Sequence, residues 1–102
     1  MKPPQNFSKI INQKRYSTTD ATLLAGDDFW DGHNWERRGR NTFLYKTPRG
    51  AYFSIILTQW QEEHDTLTPV SQSEAIELYE LTLTEHRVPY SEAFPGVKVE
   101  DA

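Results

Sequence analysis

The chain has 102 residues, 36% of them hydrophobic and 13% aromatic, and this length predicts a single domain over residues 1–102 because either half alone could not bury a core. It has no cysteine and no apolar run typical of a signal peptide or a membrane span, which excludes disulfides and thiolate chemistry and indicates a cytoplasmic protein without a membrane partner. The net charge of −4 divides unevenly, with nine Lys and Arg against five Asp and Glu in residues 1–50 and two against ten in residues 51–102.

The first quarter of the chain predicts a tail followed by a small β-element. Residues 1–8, MKPPQNFS, have two prolines and no hydrophobic periodicity, so we expect a loose N-terminal tail. KIINQKRYST predicts a small hairpin, or a strand that ends in a turn at Asn12-Gln13. The apolar residues 23–25 fit either a strand or a single helical turn, because Ser17 and Asp20 resemble a capping pair.

The clearest predicted element is a hairpin in NTFLYKTPRGAYFSIILTQW. Two apolar runs flank residues 47–50, TPRG, where proline suits the second position of a type I turn and glycine the left-handed residue of a bulge. Because successive side chains of a strand point to opposite faces, residues 53, 55 and 57 are expected on one face of the second strand and residues 52, 56 and 60 on the other. Both faces are largely apolar, which indicates a central strand. If it lay at an edge instead, it could pair between chains, so a monomer or a weak dimer is expected.

A helix is predicted next, over VSQSEAIELYELTLTEH. Ser71 and Glu74 form a capping box, Val70 can pack on Ala75 as a hydrophobic staple, and Pro89 ends the helix. Residues 62–65, EEHD, are interpreted as a solvated loop after a long strand. One more helical turn is expected at 91–94, before a short VKV strand or tail. The fold class predicted is therefore α+β, with a small antiparallel sheet of three to four strands and one main helix on one face.

A resemblance can be stated on these residues. The chain resembles small bacterial proteins of unknown function, some of them carried on mobile elements, in the segments KIINQKRYST, FLYKTPRGAYF, PVSQSEAIELYE and EAFPG. Those proteins have an IIN-G-K-x-Y hairpin, an LYRT-x-x-G-x-(Y/F)F hairpin and an acidic LS-x-x-EA helix. Gln13 stands where that group tends to have glycine. The resemblance implies the fold and a bacterial origin, and it brings no catalytic residues.

The candidate functional segment is residues 27–42, DDFWDGHNWERRGRNT, together with the TPRG turn. Flat rings and guanidinium groups can anchor a protein partner, and they can also stack on bases and bind phosphates. The alternative is a structural link whose aromatic residues pack on the sheet. The acids of the same segment disfavour nucleic acid, so a protein partner is expected first. The predicted partner-binding residues are Trp30, His33, Trp35, Arg37, Arg38, Arg40 and Arg49.

Catalytic and metal chemistry have weak signals in this chain. Glu62-Glu63-His64-Asp65 could supply ligands, but four consecutive residues cannot all face one ion, and no H-E-x-x-H motif or phosphate-binding glycine loop occurs. We therefore expect no metal, no cofactor and no catalytic residue. The function predicted is a non-catalytic protein-binding or regulatory module; the alternatives are a nucleic-acid-binding protein and an acidic inhibitor of a DNA-binding or defence complex.

Overall fold

A computed structural model of the chain describes residues 1–28 and 39–102. This part of the chain is an α+β fold with two antiparallel sheets. One sheet has two strands, β1 and β2, and the other has five strands in the order β6-β5-β4-β3-β7. The strands are β1 (Ser8–Ile11), β2 (Lys14–Ser17), β3 (Thr22–Gly26), β4 (Arg40–Lys46), β5 (Tyr52–Thr58), β6 (Thr66–Val70) and β7 (Glu85–His86), and the helices are α1 (Gln72–Glu77) and α2 (Tyr90–Ala93).

The predicted class is confirmed, but the sheet is larger than the three to four strands expected. Residues 23–25, which fitted a strand or a helical turn, lie in strand β3. Among the described residues, no helix has the length and hydropathy needed to cross a membrane.

The hairpin of β4 and β5 forms at the turn that the sequence predicts. The carbonyl of Thr47 accepts the N–H of Gly50 at 2.9 Å, and the Thr47 N–H donates to the Ala51 carbonyl at 2.8 Å. Gly50 has φ of 89°, a left-handed conformation that glycine adopts without a Cβ penalty. Because β5 pairs with both β4 and β6, it is an interior strand and the alternative of an edge strand that pairs between chains is wrong.

Each face of the five-stranded sheet carries its own core. On one face, Leu24, Leu44 and Tyr52 pack with Ala75, Tyr79, Leu83 and Phe94 from the helical segments. On the other face, Phe43, Tyr45, Phe53, Ile55 and Leu67 pack with Tyr16 of the hairpin β1–β2. The alternation predicted for β5 is therefore confirmed, since Tyr52 and Phe53 lie in different cores.

The hairpin β1–β2 is joined by the two residues Asn12 and Gln13, with φ of 52° and 66°. Two consecutive left-handed residues define a type I′ turn, whose twist matches that of the paired strands. Asparagine tolerates this conformation better than most residues, whereas glutamine carries a side chain that disfavours it.

Replacing Gln13 with glycine is therefore expected to raise the free energy of unfolding by about 0.5–1 kcal/mol. Lys9→Gly is the matched control: Lys9 is exposed in strand β1 of the same hairpin, and glycine there should lower stability by up to about 1 kcal/mol. Urea unfolding measures both. Equal losses for the two variants would contradict the role assigned to the turn.

The helix begins as predicted and ends earlier. Ser71 Oγ accepts the N–H of Glu74 at 3.1 Å and the Glu74 side chain accepts the N–H of Ser71 at 3.1 Å, so the capping box is confirmed. The predicted continuation to residue 86 is wrong. A π-helical turn, Leu78–Thr82, follows α1, with the Leu83 N–H donating to the Leu78 carbonyl. The chain then reverses, and β7 pairs with β3.

Two features explain that reversal. The carbonyl of Tyr79 accepts a hydrogen bond from Nε2 of His86 at 2.8 Å, so the imidazole satisfies a carbonyl at the end of the helical segment. The same imidazole stacks on the Tyr79 ring at 3.8 Å between centroids. His86 therefore connects β7 to the helical segment before the reversal through its two contacts with Tyr79. It is not part of a longer helix, which the sequence pattern predicts.

Strand β6 lies between the loop at residues 62–65 and helix α1, where the sequence predicts no strand. Residues 66–70 pair with β5, and Leu67, opposite Ile55, is buried. Pro69, opposite Phe53, lies in this strand. Proline cannot donate to a β-ladder and is tolerated at the edge of a sheet, which is where β6 lies. The predicted helical turn near residue 91 is present as α2, and residues 97–99 form no strand.

The N-terminal residues, expected to be a loose tail, have no regular structure before Ser8 but contact the sheet. The Tyr45 hydroxyl donates to the Pro4 carbonyl at 3.1 Å. Burial raises the pKa of Tyr45 to about 12, so this hydroxyl stays protonated at neutral pH. The Thr18 N–H donates to the Phe7 carbonyl at 2.9 Å, which extends the pairing of β1 and β2 by one residue pair.

Candidate functional site

Of the seven predicted site residues, five fall outside the described residues and two within them. Trp30, His33, Trp35, Arg37 and Arg38 lie in residues 29–38. Arg40 is the first residue of β4, and Arg49 is in the turn that follows this strand. Strands rise about 3.3 Å per residue, so the two arginines are separated by about 20 Å along the sheet. The two arginines therefore lie near opposite ends of β4.

Arg40 takes part in an ion pair with Glu63. Its Nε donates to Oε1 of Glu63 at 3.1 Å and its terminal nitrogen contacts Oε2. The hydroxyl of Thr58 donates to the same carboxylate at 2.6 Å. The hydrogen bonds from Arg40 and Thr58 hold the pKa of Glu63 below its usual value. Both side chains of the pair are partly exposed, so we assign it to ordering the turn after β5.

Two acids of the sequence 62–65 thus have structural roles. Asp65 accepts the N–H of Thr58 at 2.9 Å, next to the contact of Thr58 with Glu63. Within residues 1–28 and 39–102, no group of three or more His, Asp or Glu side chains is placed to hold a metal ion.

Arg49 lines a groove of about 790 Å³ between the two hairpins. One wall consists of all four residues of β2 together with Gln13 and Asp20. The other wall is the β4–β5 turn, with Thr47, Pro48, Arg49 and Ala51. We call this feature the hairpin groove. Its walls are two tight turns and a strand, so its shape depends on hydrogen-bonded backbone.

The hairpin groove is basic. Lys14, Arg15 and Arg49 line it with a single acid, Asp20. In the part of the chain that the structure describes, no carboxylate forms an ion pair with any of these three cations. Cations that line one groove and form no ion pair among the described residues raise the local positive potential. The groove is therefore suited to an anionic partner.

Tyr16 is the aromatic residue among those that line the groove. This residue is 9% exposed, and its ring packs edge-on against Phe53 at 5.8 Å between centroids. The ring is therefore used to dock the hairpin on the sheet. It has little surface left for stacking on a nucleic-acid base, which requires an open ring face.

Sequence reasoning identified Arg49 and missed Lys14, Arg15 and Asp20. Lys14 and Arg15 are more than thirty positions before Arg49 in the chain, Asp20 is 29 before it, and no local motif connects them to Arg49. The available signal was the excess of Lys and Arg in residues 1–50. All three cations of the groove belong to this half of the chain, but the excess does not indicate which of the nine cations line one groove.

Comparisons with protein-family models, with curated proteins and with solved structures found no match to this chain. Function is therefore inferred from the hairpin groove and its chemistry.

Proposed function

We propose that the protein is a non-catalytic binding module and that the hairpin groove is its contact surface for a partner protein. The observation that supports this most directly is the set of three cations, Lys14, Arg15 and Arg49, around an open groove without an ion-pair partner among the described residues. Positive charge gathered on one surface costs stability through self-repulsion, and a bound anionic group offsets this cost.

The chemistry of the groove supports binding in preference to catalysis. Among the described residues, no histidine lines the groove, and Ser17 Oγ accepts the N–H of Thr19 at 3.2 Å. A hydroxyl nucleophile needs an adjacent base and an orienting group. Lys14 and Asp20 also line the groove, but among the described residues neither side chain is hydrogen-bonded to the Ser17 hydroxyl, so binding is the simpler activity to assign.

A protein partner is favoured over nucleic acid for two reasons. Asp20 in the groove repels a continuous phosphate backbone, whereas a protein segment can place a donor opposite it. Tyr16 packs on Phe53 and offers little ring surface for stacking.

The proposal is tested by charge reversal. The double variant Lys14→Glu/Arg49→Glu is expected to lose partner capture from bacterial lysate, because two attractive charges become repulsive. The matched control Lys2→Glu/Lys98→Glu has the same change of net charge at two exposed residues that do not line the groove, and it should capture the partner as the unmodified protein does.

Nuclease treatment separates the two kinds of partner. A protein band that survives nuclease and is lost only in the groove variant supports the proposal. Equal capture by both double variants would reject the groove as the contact surface. Signal lost on nuclease treatment, with a steep decline between 50 and 200 mM salt, would identify a nucleic-acid partner instead.

A further inference from the structure

The backbone edge of β2 faces the hairpin groove. All four consecutive residues of this strand, Lys14–Ser17, line the groove. Successive side chains of a strand point to opposite faces, and the simplest way for four residues in a row to line one groove is for the edge of the strand to be turned towards it. β2 has β1 as its neighbour on one side and no strand on the other in the described part of the chain.

The alternation of hydrogen-bonded and non-hydrogen-bonded residue pairs in the hairpin β1–β2 shows which backbone groups lie at the free edge of β2. A two-residue turn is flanked by a hydrogen-bonded pair, here Ile11 and Lys14, and such pairs recur at every second residue. The bond from the Thr18 N–H to the Phe7 carbonyl agrees with this alternation. The N–H and carbonyl groups of Arg15 and Ser17 therefore point away from β1.

These four groups have no hydrogen-bond partner within residues 1–28 and 39–102. Two N–H donors and two carbonyl acceptors, spaced two residues apart along a strand, match the requirements of one further strand. Strand addition at such an edge is an established mode of peptide recognition, in which main-chain bonds provide affinity and side chains provide selectivity.

Charge determines which peptide would fit. A strand added beside β2 would lie between Lys14 and Arg15 on one wall and Arg49 on the other. We infer that the hairpin groove binds an acidic protein segment in extended conformation, which adds to β2 as a third strand of the hairpin sheet. This inference rests on the proposed function and specifies the kind of partner; β2 spans about 13 Å, enough for about four residues.

The inference is tested with a fluorescein-labelled ten-residue peptide of alternating Glu and Thr. Two further peptides have the same sequence, one N-methylated at every Thr and the other at every Glu, which removes the N–H donors of one edge each. We expect the unmodified peptide to bind and at least one methylated peptide to bind about tenfold or more weakly, since two backbone hydrogen bonds are lost. Fluorescence anisotropy measures the affinities.

A pair of protein variants tests the same bonds from the other side. Arg15→Ala removes the charge of Arg15, and Arg15→Pro removes both the charge and the N–H that faces the groove. Proline is tolerated in a strand where its nitrogen faces away from the neighbouring strand, so both variants are expected to fold, as circular dichroism would show. Arg15→Pro should bind the peptide several-fold more weakly than Arg15→Ala.

The outcomes distinguish this inference from the function it depends on. Equal affinity for all three peptides, or for the two Arg15 variants, would overturn strand addition while leaving charge-dependent partner capture intact. Failure of the unmodified peptide to bind, or to displace a captured partner, would overturn it as well. Tighter binding of a labelled ten-residue oligothymidylate than of the peptide would overturn both the inference and the proposed protein partner.

Discussion

Replacing Phe53 with alanine is expected to lower the free energy of unfolding by about 3–5 kcal/mol. Phe53 has no exposed surface, lies parallel to the Tyr45 ring at 5.2 Å and contacts the edge of Tyr16 at 5.8 Å. The substitution removes a large buried side chain and two aromatic contacts at once. It also removes the packing that holds the hairpin on the sheet. Urea unfolding followed by tryptophan fluorescence measures the loss.

Ile56→Ala is the matched control for Phe53→Ala. Ile56 lies on the opposite face of the same strand and is 38% exposed, so its truncation should cost about 1 kcal/mol or less. If Phe53→Ala does not fold, Phe53→Leu keeps most of the apolar volume and should lose about 1 kcal/mol. Equal losses of unfolding free energy for Phe53→Ala and Ile56→Ala would contradict the placement of Phe53 in the core between the sheet and the hairpin β1–β2.

Replacing Arg87 with alanine is expected to cost about 2 kcal/mol at neutral pH, since a largely buried carboxylate loses its cation. A terminal nitrogen of Arg87 lies 2.5 Å from Oδ2 of Asp28, whose side chain is 12% exposed. Partial burial opposes ionisation of Asp28, but its hydrogen bond and attraction to Arg87 outweigh this and hold its pKa below the usual value. The pair connects the end of β7 to the segment after β3.

The cost of Arg87→Ala should depend on pH. Because the pKa of Asp28 is lowered in the folded state, the pair stabilises the fold above the ordinary carboxyl pKa, and this contribution is lost as the pH falls through the folded value. Unfolding measured from pH 6 down to pH 3 should therefore show the variant and the unmodified protein converging. In an Asp28→Asn background, Arg87→Ala should cost little at any pH. A cost that is the same at pH 6 and pH 3 would contradict the ion pair as its source.

Elements fixed by neighbouring residues could be predicted from the sequence. The TPRG turn needs a proline and a glycine at set positions, and the capping box needs Ser71 and Glu74 three residues apart. Both sets of hydrogen bonds form within a few residues of the chain. Long-range packing was not required to specify either, and both predictions are confirmed.

Strands β6 and β7 were missed because distant parts of the chain decide them. Residues 66–70 include Pro69 and become a strand only through pairing with β5. The segment before β7 has helical spacing of its apolar residues, but pairing of Glu85 and His86 with β3 overrides it. Local propensity is a weak guide where a partner strand supplies the hydrogen bonds.

The candidate site was less predictable than the fold. Arg49 could be identified because turn tips are exposed, whereas the neighbourhood of Lys14 and Arg15 depends on how the first hairpin packs on the sheet. That packing is made by Tyr16 and Phe53, whose contact no spacing rule reveals. The separation of Arg40 from Arg49 followed from the strand predicted between them.

The position of Pro69 has a consequence for the behaviour of the protein in concentrated solution. An exposed strand with an unbroken row of donors and acceptors can template fibres. At one edge of the five-stranded sheet, β6 lacks a donor at Pro69, and at the other edge β7 has only two residues. The edge of β2 carries Lys14 and Arg15, whose charges repel the same edge of a second molecule. The protein should therefore stay dispersed at concentrations where an unprotected sheet of similar apolar content would polymerise.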